Sequence, residues 1–537
     1  MLFSSSCENP LLSSDTFPTP HQFQELRQLL RSSHIPPNVL SLVIFSTSIL
    51  EEYDAAIAGM QAEAAEMDGM LTARAKVQYF IDGYRALQSP VRRLPPEILC
   101  QIFEYVSERM TNQPVNLLAA ELWRISRVCA RWHGVVMGTP TLWTNVVVDG
   151  SERFLEQLLP ALRVSVKRAM PRSLTVQLQS LDSYSRRFHD ALDLLAQSSK
   201  HWRRLSVDLT NAQRYPRIRT TLFGLKGKLD CLQELRLVNV QQGDLGDTFE
   251  TARELRRATI IARGRQTVPD LPWSQVVSLT YLGTPSPHAA DLHAVFRVMA
   301  NLSHPDAAFT LRVVGDTGYL PRVTSHISSF SLYFTSFTIW RTPHMEAWGR
   351  LWDSLTLPHL HTLTIGPYDL IDDDPPPWPE VQFRSLSRRS SFHRTLRVLR
   401  IANVVIDDTE LRNVLEPLEA LQRLEISDQG DHHTVLHGLL LFLGQQTPEG
   451  KPLRVPRLKY LSCDSQLVFT PQIYFDCILA RVRPTPGKPV FEAVLSHLPS
   501  APKEKRKEME EGPLQNLVAQ GRLRFSFEAW VHPTSKH

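Results

Sequence analysis

A short leucine-based strand signature recurs along most of this chain, and it constrains the fold more than any other feature does. The signature is Leu-x-Leu or Leu-x-Val, introduced by basic or polar residues and followed by a turn. Intervals between copies run from 25 to 53 residues. Nine copies are present, at Leu174, Leu205, Leu235, Leu279, Leu332, Leu363, Leu399, Leu424 and Leu461.

Segments compatible with helices separate these strands, for example residues 412–422. A strand-plus-helix unit of this size cannot bury its apolar face alone, so neighbouring units must stack. The pattern predicts an α/β fold in which residues 150–500 form an irregular leucine-rich-repeat solenoid of short parallel strands and helices. The long intervals before Leu279 and Leu332 predict insertions or an undetected degenerate repeat. Residues 501–537 are expected to be a charged linker and a C-terminal cap with a helix and a last strand.

Length and charge exclude several classes of protein. At 537 residues the chain exceeds one ordinary domain. An apolar fraction of 42% argues against wholesale disorder, and a net charge of +4 is too small for strong general attraction to nucleic acid. The first twenty residues do not resemble a signal peptide, and the apolar stretches are too short to span a membrane.

Cysteine usage indicates a reducing compartment. The six cysteines are dispersed and form no Cys-x-x-Cys pair. We therefore expect a cytoplasmic or nuclear protein with no membrane association. The six are Cys7, Cys100, Cys129, Cys231, Cys463 and Cys477.

The N-terminal region contains a heptad pattern. Residues 1–36 are expected to be disordered, and residues 37–89 to form one long helix, because proline is absent from its interior. The narrow apolar seam, interrupted by Glu63 and Arg74, predicts a coiled coil or a helix packed on a partner, with possible self-association through residues 49–84. A solvated helix is the alternative. The seam comprises Ile49, Tyr53, Ala56, Met60, Met67, Met70, Val77, Ile81 and Tyr84.

Residues 90–149 predict a small helical domain. Pro90 ends the heptad helix, and Pro95 and Pro96 precede a short apolar helix, where a missing N–H costs nothing. A second apolar helix is expected over residues 117–136. Two such helices expose more apolar surface than they can bury between them, which favours a partner surface over an internal core. The large aromatics Phe103 and Trp132 are the expected anchors.

This block resembles an F-box. The resemblance is carried by Leu94-Pro95-Pro96-Glu97-Ile98-Leu99 with Ile102-Phe103, followed by Val128-Cys129-x-x-Trp132. With Ser-Pro-x-Arg-Arg-Leu-Pro before the box and residues 138–148 after it, residues 40–150 are similar to F-box proteins of mushroom-forming fungi. One departure is that residues 107–121, between the two halves, form a longer stretch than in compact examples.

The resemblance implies a substrate receptor of an SCF-type ubiquitin ligase. The F-box would bind a Skp-family adaptor and, through it, cullin and RING subunits, while the concave face of the repeats binds an unknown protein substrate. It implies no enzymatic activity and no cofactor. A non-catalytic scaffold and an enzyme with an unrecognised site are the alternatives. The positions carried over as adaptor-facing or box-core are Leu94, Pro95, Ile98, Leu99, Ile102, Phe103, Val128, Cys129 and Trp132.

No catalytic motif of the Gly-x-Ser-x-Gly, Walker, His-Glu-x-x-His or Gly-x-Gly-x-x-Gly type occurs. Four weaker patterns suggest sites, and in each case an ordinary surface turn, loop or helix is the favoured interpretation. They are a metal site at Asp431, His433 and His437; a cation loop at Asp372, Asp373 and Asp374; a kinase site at Arg388-Arg389-Ser390-Ser391; and a charge run at residues 503–511. No metal site is therefore predicted.

Overall fold

The structure, a computed structural model, divides into two compact units. Unit 1 covers residues 1–148 and 153–174, and unit 2 covers residues 149–152 and 175–537. The residues that the structure describes are 18–31, 36–59, 64–110, 114–150, 155–179, 186–210, 216–240, 245–262, 268–283, 292–313, 320–334, 342–367, 377–402, 404–427, 437–482, 491–497 and 501–529.

Unit 1 is mainly helical. Short 3-10 turns at Pro90–Arg93 and Pro140–Trp143 flank the central helices. Its elements are α1 (Pro20–Arg31), α2 (Val39–Gly59), α3 (Ala64–Gln88), α4 (Pro96–Arg109), α5 (Val115–Ser126), α6 (Ala130–Gly138), β1 (Asn145–Asp149) and α7 (Leu155–Ala169).

Unit 2 consists of strands, most of which are separated by helices. Its first half comprises β2 (Leu174–Gln179), α8 (Arg186–Ala196), β3 (Trp202–Asp208), α9 (Pro216–Phe223), β4 (Glu234–Val240), β5 (Arg257–Ala262), β6 (Ser278–Gly283), α10 (Leu292–Asn301), β7 (Ala308–Val313), β8 (Val323–Thr324) and β9 (Ser329–Phe334). Its second half comprises α11 (Thr342–Ser354), β10 (Leu355–Thr356), β11 (Thr362–Pro367), α12 (Glu380–Ser390), α13 (Phe392–Thr395), β12 (Val398–Ala402), α14 (Asp408–Leu415), β13 (Arg423–Ser427), α15 (His437–Gly444), β14 (Tyr460–Ser465), α16 (Pro471–Leu479), β15 (Phe491–His497), α17 (Lys503–Glu510), α18 (Leu514–Ala519) and β16 (Leu523–Ala529).

The strands form a 14-stranded sheet whose order follows the sequence, while β8 and β10 pair separately. From β3 to β16 the pairs are parallel. Strands buried on alternate residues, with intervening helices that each bury one face, have the architecture of a repeat solenoid. The predicted mixed α/β fold is confirmed.

In-register pairing creates a continuous ladder of residues, which are buried from β3 to β15 and half-buried in β16. One residue per strand occupies it, and in β7 and β9 the ladder residues are Phe309 and Phe330, whose rings stack with centroids 6.0 Å apart. The ladder runs through Leu205, Leu235, Ala258, Leu279, Phe309, Phe330, Leu363, Leu399, Leu424, Leu461, Ala493 and Phe525.

All nine predicted strands are present, but the repeat count was too low. The long interval before Leu279 contains β5, and the one before Leu332 contains β7. Their ladder positions carry Ala258 and Phe309 instead of leucine. In β9 the ladder residue is Phe330, which pairs with Leu363. The predicted residue, Leu332, pairs with Ile365 and lies two positions further along the strand.

The prediction that residues 37–89 form a single heptad helix is wrong. Two helices, α2 and α3, are separated by only four residues and pack against each other, which requires them to run antiparallel. The seam residues Tyr53, Met70, Val77, Ile81 and Tyr84 are buried in this packing. Arg74, which interrupts the seam, pairs with Asp54 across the two helices, with Nε–Oδ1 at 2.5 Å. The side chains of Met60, Glu63 and Met67 lie outside the described residues.

The prediction that residues 1–36 are disordered is also wrong for α1. Thr19 and Gln22 form a reciprocal cap: the Thr19 N–H donates to Gln22 Oε1 (2.8 Å), and the Gln22 N–H donates to Thr19 Oγ1 (3.3 Å). Leu26 of α1 is buried so closely against Gly83 of α3 that a Cβ on Gly83 would lie 2.7 Å from its Cδ2. The apolar seam therefore packs within a cluster formed by α1, α2 and α3 of the same chain.

Candidate partner-binding surface

Helix α4 begins where its prolines predict. Pro95 is extended and Pro96 occupies the first turn, and the N–H groups of Ile98 and Leu99 each donate to the Pro95 carbonyl at 3.1 Å. Glu97 lies in the first turn, where the helix dipole favours a negative charge. The helix start is therefore satisfied without a capping side chain.

Two apolar faces run along α4. Leu99, Phe103 and Ser107, spaced by four residues, are buried inside the unit. On an adjoining side of the helix Ile98, Ile102 and Tyr105 are 39%, 42% and 56% exposed. A helix this short with apolar residues on an outward face is typical of a protein-binding surface.

The second predicted helix, residues 117–136, is interrupted. It divides into α5 and α6 because Cys129 is extended, with φ −160° and ψ 169°. The break leaves Val128 60% exposed, whereas Leu118 and Leu122 of α5 are buried. The Val-Cys-x-x-Trp motif therefore spans a turn and the start of α6.

Phe103 and Trp132 pack against each other, with ring centroids 5.0 Å apart and ring planes at 66°. Phe103 is only 1% exposed, and Trp132 is half-buried. This contact connects α4 with α6 inside the unit. The prediction that Phe103 is a surface anchor is therefore wrong, and its ring belongs to the interior.

Arg131 fastens α6 to the segment that leads into α4. Its Nη1 donates to the Arg92 carbonyl and its Nη2 to the Leu94 carbonyl, both at 2.5 Å. Arg92 in turn donates to the carbonyls of Leu29 and Leu30 of α1, at 3.3 Å each. Through these main-chain carbonyls, the two arginines connect α6, the proline-rich turn and the C-terminal part of α1.

The nine predicted site residues fall into three groups by exposure. Pro95, Ile98, Ile102 and Val128 are exposed, Leu94, Cys129 and Trp132 are half-buried, and Leu99 and Phe103 are buried. Sequence reasoning missed Tyr105, although its i+7 spacing from Ile98 would have placed it on the same face. It also missed Arg131 as a structural residue, and nothing in the sequence distinguishes that arginine from its neighbours.

The described residues include only part of the weaker sequence candidates. His437 Nε2 accepts a hydrogen bond from the Thr470 N–H (3.2 Å), which occupies one ring nitrogen. Asp431, His433 and the acidic residues Asp372, Asp373 and Asp374 lie outside the described residues. Within the described ranges, no three His, Cys, Asp or Glu side chains are placed to hold a metal ion.

The kinase-type quartet is part of α12 and its C-terminal turn. Ser390 is fully buried and its Oγ accepts from the Leu357 N–H (2.8 Å), so a kinase cannot reach it. Arg389 donates to the carbonyls of Trp352 and Leu355, at 3.0 Å each. In the charge run, Lys505 Nζ likewise donates to the carbonyls of residues 467–469. These basic residues are structural.

Comparison with known proteins identifies the helical segment. The F-box-like family model matches residues 91–149. No curated protein matches the chain. Residues 91–149 thus form an F-box-like domain, which supports a role in protein–protein interaction of the SCF type. None of the helices that the structure describes has the length and hydropathy needed to cross a membrane.

Proposed function

We propose that this protein is a substrate receptor of an SCF-type ubiquitin ligase. In this proposal the F-box-like domain binds a Skp-family adaptor and, through it, cullin and RING subunits, and the repeats bind a client protein. The chain would work in the cytoplasm or nucleus, with no cofactor and no covalent chemistry of its own. The F-box-like match at residues 91–149 supports the class of interaction.

The observation that carries the proposal is the division of α4 into two faces. Leu99 and Phe103 complete the interior of the domain, while Ile98, Ile102 and Tyr105 remain in solvent. Covering apolar area contributes about 25 cal/mol per Å², and aromatic and aliphatic side chains at the centre of an interface dominate its affinity. Val128, in the turn between α5 and α6, is a further exposed apolar residue of the same domain.

The mechanism follows from tethering. A receptor that holds a client at one site and the ligase at another raises the effective concentration of a client lysine near the charged conjugating enzyme. No catalytic side chain is required for that effect. The alternating strands and helices of unit 2 offer the extended surface that such a receptor needs.

An alternative is a scaffold that binds the adaptor without delivering a client. One form of this alternative is a scaffold that self-associates through residues 49–84. The structure argues against it, because Tyr53, Met70, Val77 and Ile81 are buried within the chain's own helical cluster. The solvated-helix alternative fails for the same reason. We therefore favour the receptor.

Co-purification tests the proposal. The full chain is co-expressed with a Skp-family adaptor, and the Ile98→Asp/Ile102→Asp variant is compared with Val381→Asp, which changes an exposed apolar residue of α12. We expect the parent and Val381→Asp to retain the adaptor, and the double variant to bind at least tenfold more weakly with an unchanged circular dichroism spectrum. A parent chain that fails to bind the adaptor would overturn the proposal.

A further inference from the structure

A polar cleft lies in unit 2 between α12, α13 and α14. Its volume is about 370 Å³, which falls within the range of ordinary ligand pockets. All of its lining residues belong to these helices or to the turn after α14, and none belongs to a strand. The cleft is therefore distinct from the strand face on which the sequence placed the substrate.

The floor of the cleft is apolar. Phe383 of α12 and Val414 of α14 are buried, and Pro417 lines the cleft beside them. The rings of Trp378 and Phe392 pack against the Phe383 ring, with centroids 4.8 Å and 6.1 Å away. A rigid aromatic and aliphatic floor can accept one apolar side chain of a ligand.

Both carboxylates at the rim already have partners. Glu380 is paired with Arg384 one helical turn away and accepts a hydrogen bond from Asn413 Nδ2 (3.0 Å). Glu416 is paired with Arg454. These pairs balance the charge on that part of the rim.

Two basic side chains at the rim are not balanced. Arg388 lies two turns along α12 from Glu380, about 12 Å away at 1.5 Å per residue, and His393 follows on α13. Both are exposed, and among the described residues neither makes an ion pair with a carboxylate. A guanidinium and an imidazole that line the same cleft are suited to an anionic group, because arginine binds carboxylate and phosphate through two donors.

We infer that this cleft binds a peptide segment in which an apolar side chain lies close to an acidic or phosphorylated residue. The apolar side chain contacts Phe383 and Val414, and the anionic group binds Arg388 and His393. A peptide fits better than a nucleic acid, because two carboxylates line the rim and the chain carries a net charge of only +4. That the peptide belongs to a ubiquitination client rests on the proposed function.

The test measures peptide affinity on the purified full chain without adaptor, so that a failure of adaptor binding remains a separate result. The probes are fluorescein-labelled peptides with Leu or Phe followed within three positions by Asp, phosphoserine or serine. We expect an Asp or phosphoserine peptide to bind at least tenfold more tightly than its serine counterpart. Comparison of the Asp and phosphoserine series shows whether the anion is a carboxylate or a phosphate.

Charge variants locate the binding. Arg388→Glu should weaken the binding of the anionic peptide at least tenfold, whereas Arg388→Lys retains most of it. Arg394→Glu is the matched control, because Arg394 is an exposed arginine of α13 that does not line the cleft. Equal weakening by Arg394→Glu, or no preference for anionic peptides, would overturn the inference. The inference would also be overturned if a labelled single-stranded oligonucleotide bound in place of the peptides and the Arg388→Glu change abolished that binding.

Discussion

The ring of Phe103 meets the indole of Trp132 edge to face, with centroids 5.0 Å apart. One residue lies on α4 and the other on α6, so the contact connects the two halves of the F-box motif. Edge-to-face aromatic pairs contribute about 0.5–1.5 kcal/mol beyond their buried area. Phe103 therefore stabilises the domain whose outer face presents Ile98 and Ile102.

Replacement of Phe103 by alanine should destabilise the domain. Truncation of a buried phenylalanine costs about 3–5 kcal/mol, because it removes apolar contacts and leaves a cavity. Hydrogen exchange measured by mass spectrometry should show faster exchange in α4 and α6. Ile102→Asp should leave exchange in α6 nearly unchanged, and similar acceleration by both variants would contradict the two-face assignment.

Arg131→Met should loosen the connection between α6 and the proline turn. The change removes two charged hydrogen bonds to the Arg92 and Leu94 carbonyls, and bonds of this kind contribute about 1.5–3 kcal/mol each. The urea midpoint of the F-box-like domain should fall. Arg124→Met, which removes only an exposed ion pair with Glu121, should cost about 0.5 kcal/mol or less. Equal shifts of the urea midpoint in the two variants would argue against a stabilising role for the hydrogen bonds from Arg131 to the carbonyls.

Two glycine-to-alanine changes should have opposite effects. Gly134 lies within α6 with open space around a built Cβ, so alanine should stabilise the helix by about 0.5–1 kcal/mol. At Gly512 a Cβ would lie 2.3 Å from Cζ of the buried Phe475 ring, and overpacking costs about 1–3 kcal/mol. Thermal unfolding measures both shifts. In a Phe475→Leu background, Gly512→Ala should lower the melting temperature less than it does in the parent. If the effects of the two changes were additive, a direct clash between residue 512 and the Phe475 ring would be contradicted.

Cysteine labelling should depend on pH and burial. Burial raises the pKa of the Cys477 thiol from 9.0 to about 12. The folded state therefore favours the neutral thiol, so this group's contribution to stability is complete below about pH 9 and is lost as the pH rises towards 12. Iodoacetamide at pH 9 should modify the exposed Cys231 and leave Cys477 unmodified until denaturant is added. Equal labelling rates in the native protein would contradict this.

Local patterns were enough to predict most of unit 2. Each Leu-x-Leu copy specifies a strand with alternate residues buried, and stacking of such strands follows from their common apolar face. The strands β5, β7 and β15 were not predicted, and their ladder positions hold Ala258, Phe309 and Ala493. Only the register between neighbouring strands shows that these residues are equivalent to the leucines.

Unit 1 shows where local patterns end. The Thr19–Gln22 cap, with Pro20 at the first helical position, is a helix-start signal that the sequence contains. The serine- and proline-rich composition of the first residues led instead to the prediction of disorder. The heptad seam was visible too, but periodicity does not reveal whether its partner is another chain or the next helix of the same chain. Packing of α2 on α3 decided that.

The sequence by itself determined the start of α4, most strand positions and the F-box pattern, because dihedral preference, capping and apolar spacing act over a few residues. Only the tertiary structure decided which apolar residues are interior and which are free for a partner. Leu99 and Ile98 are neighbours of similar hydrophobicity, yet one is buried and the other exposed. The difference arises because α6 covers one face of α4, and burial depends on residues far apart in the sequence.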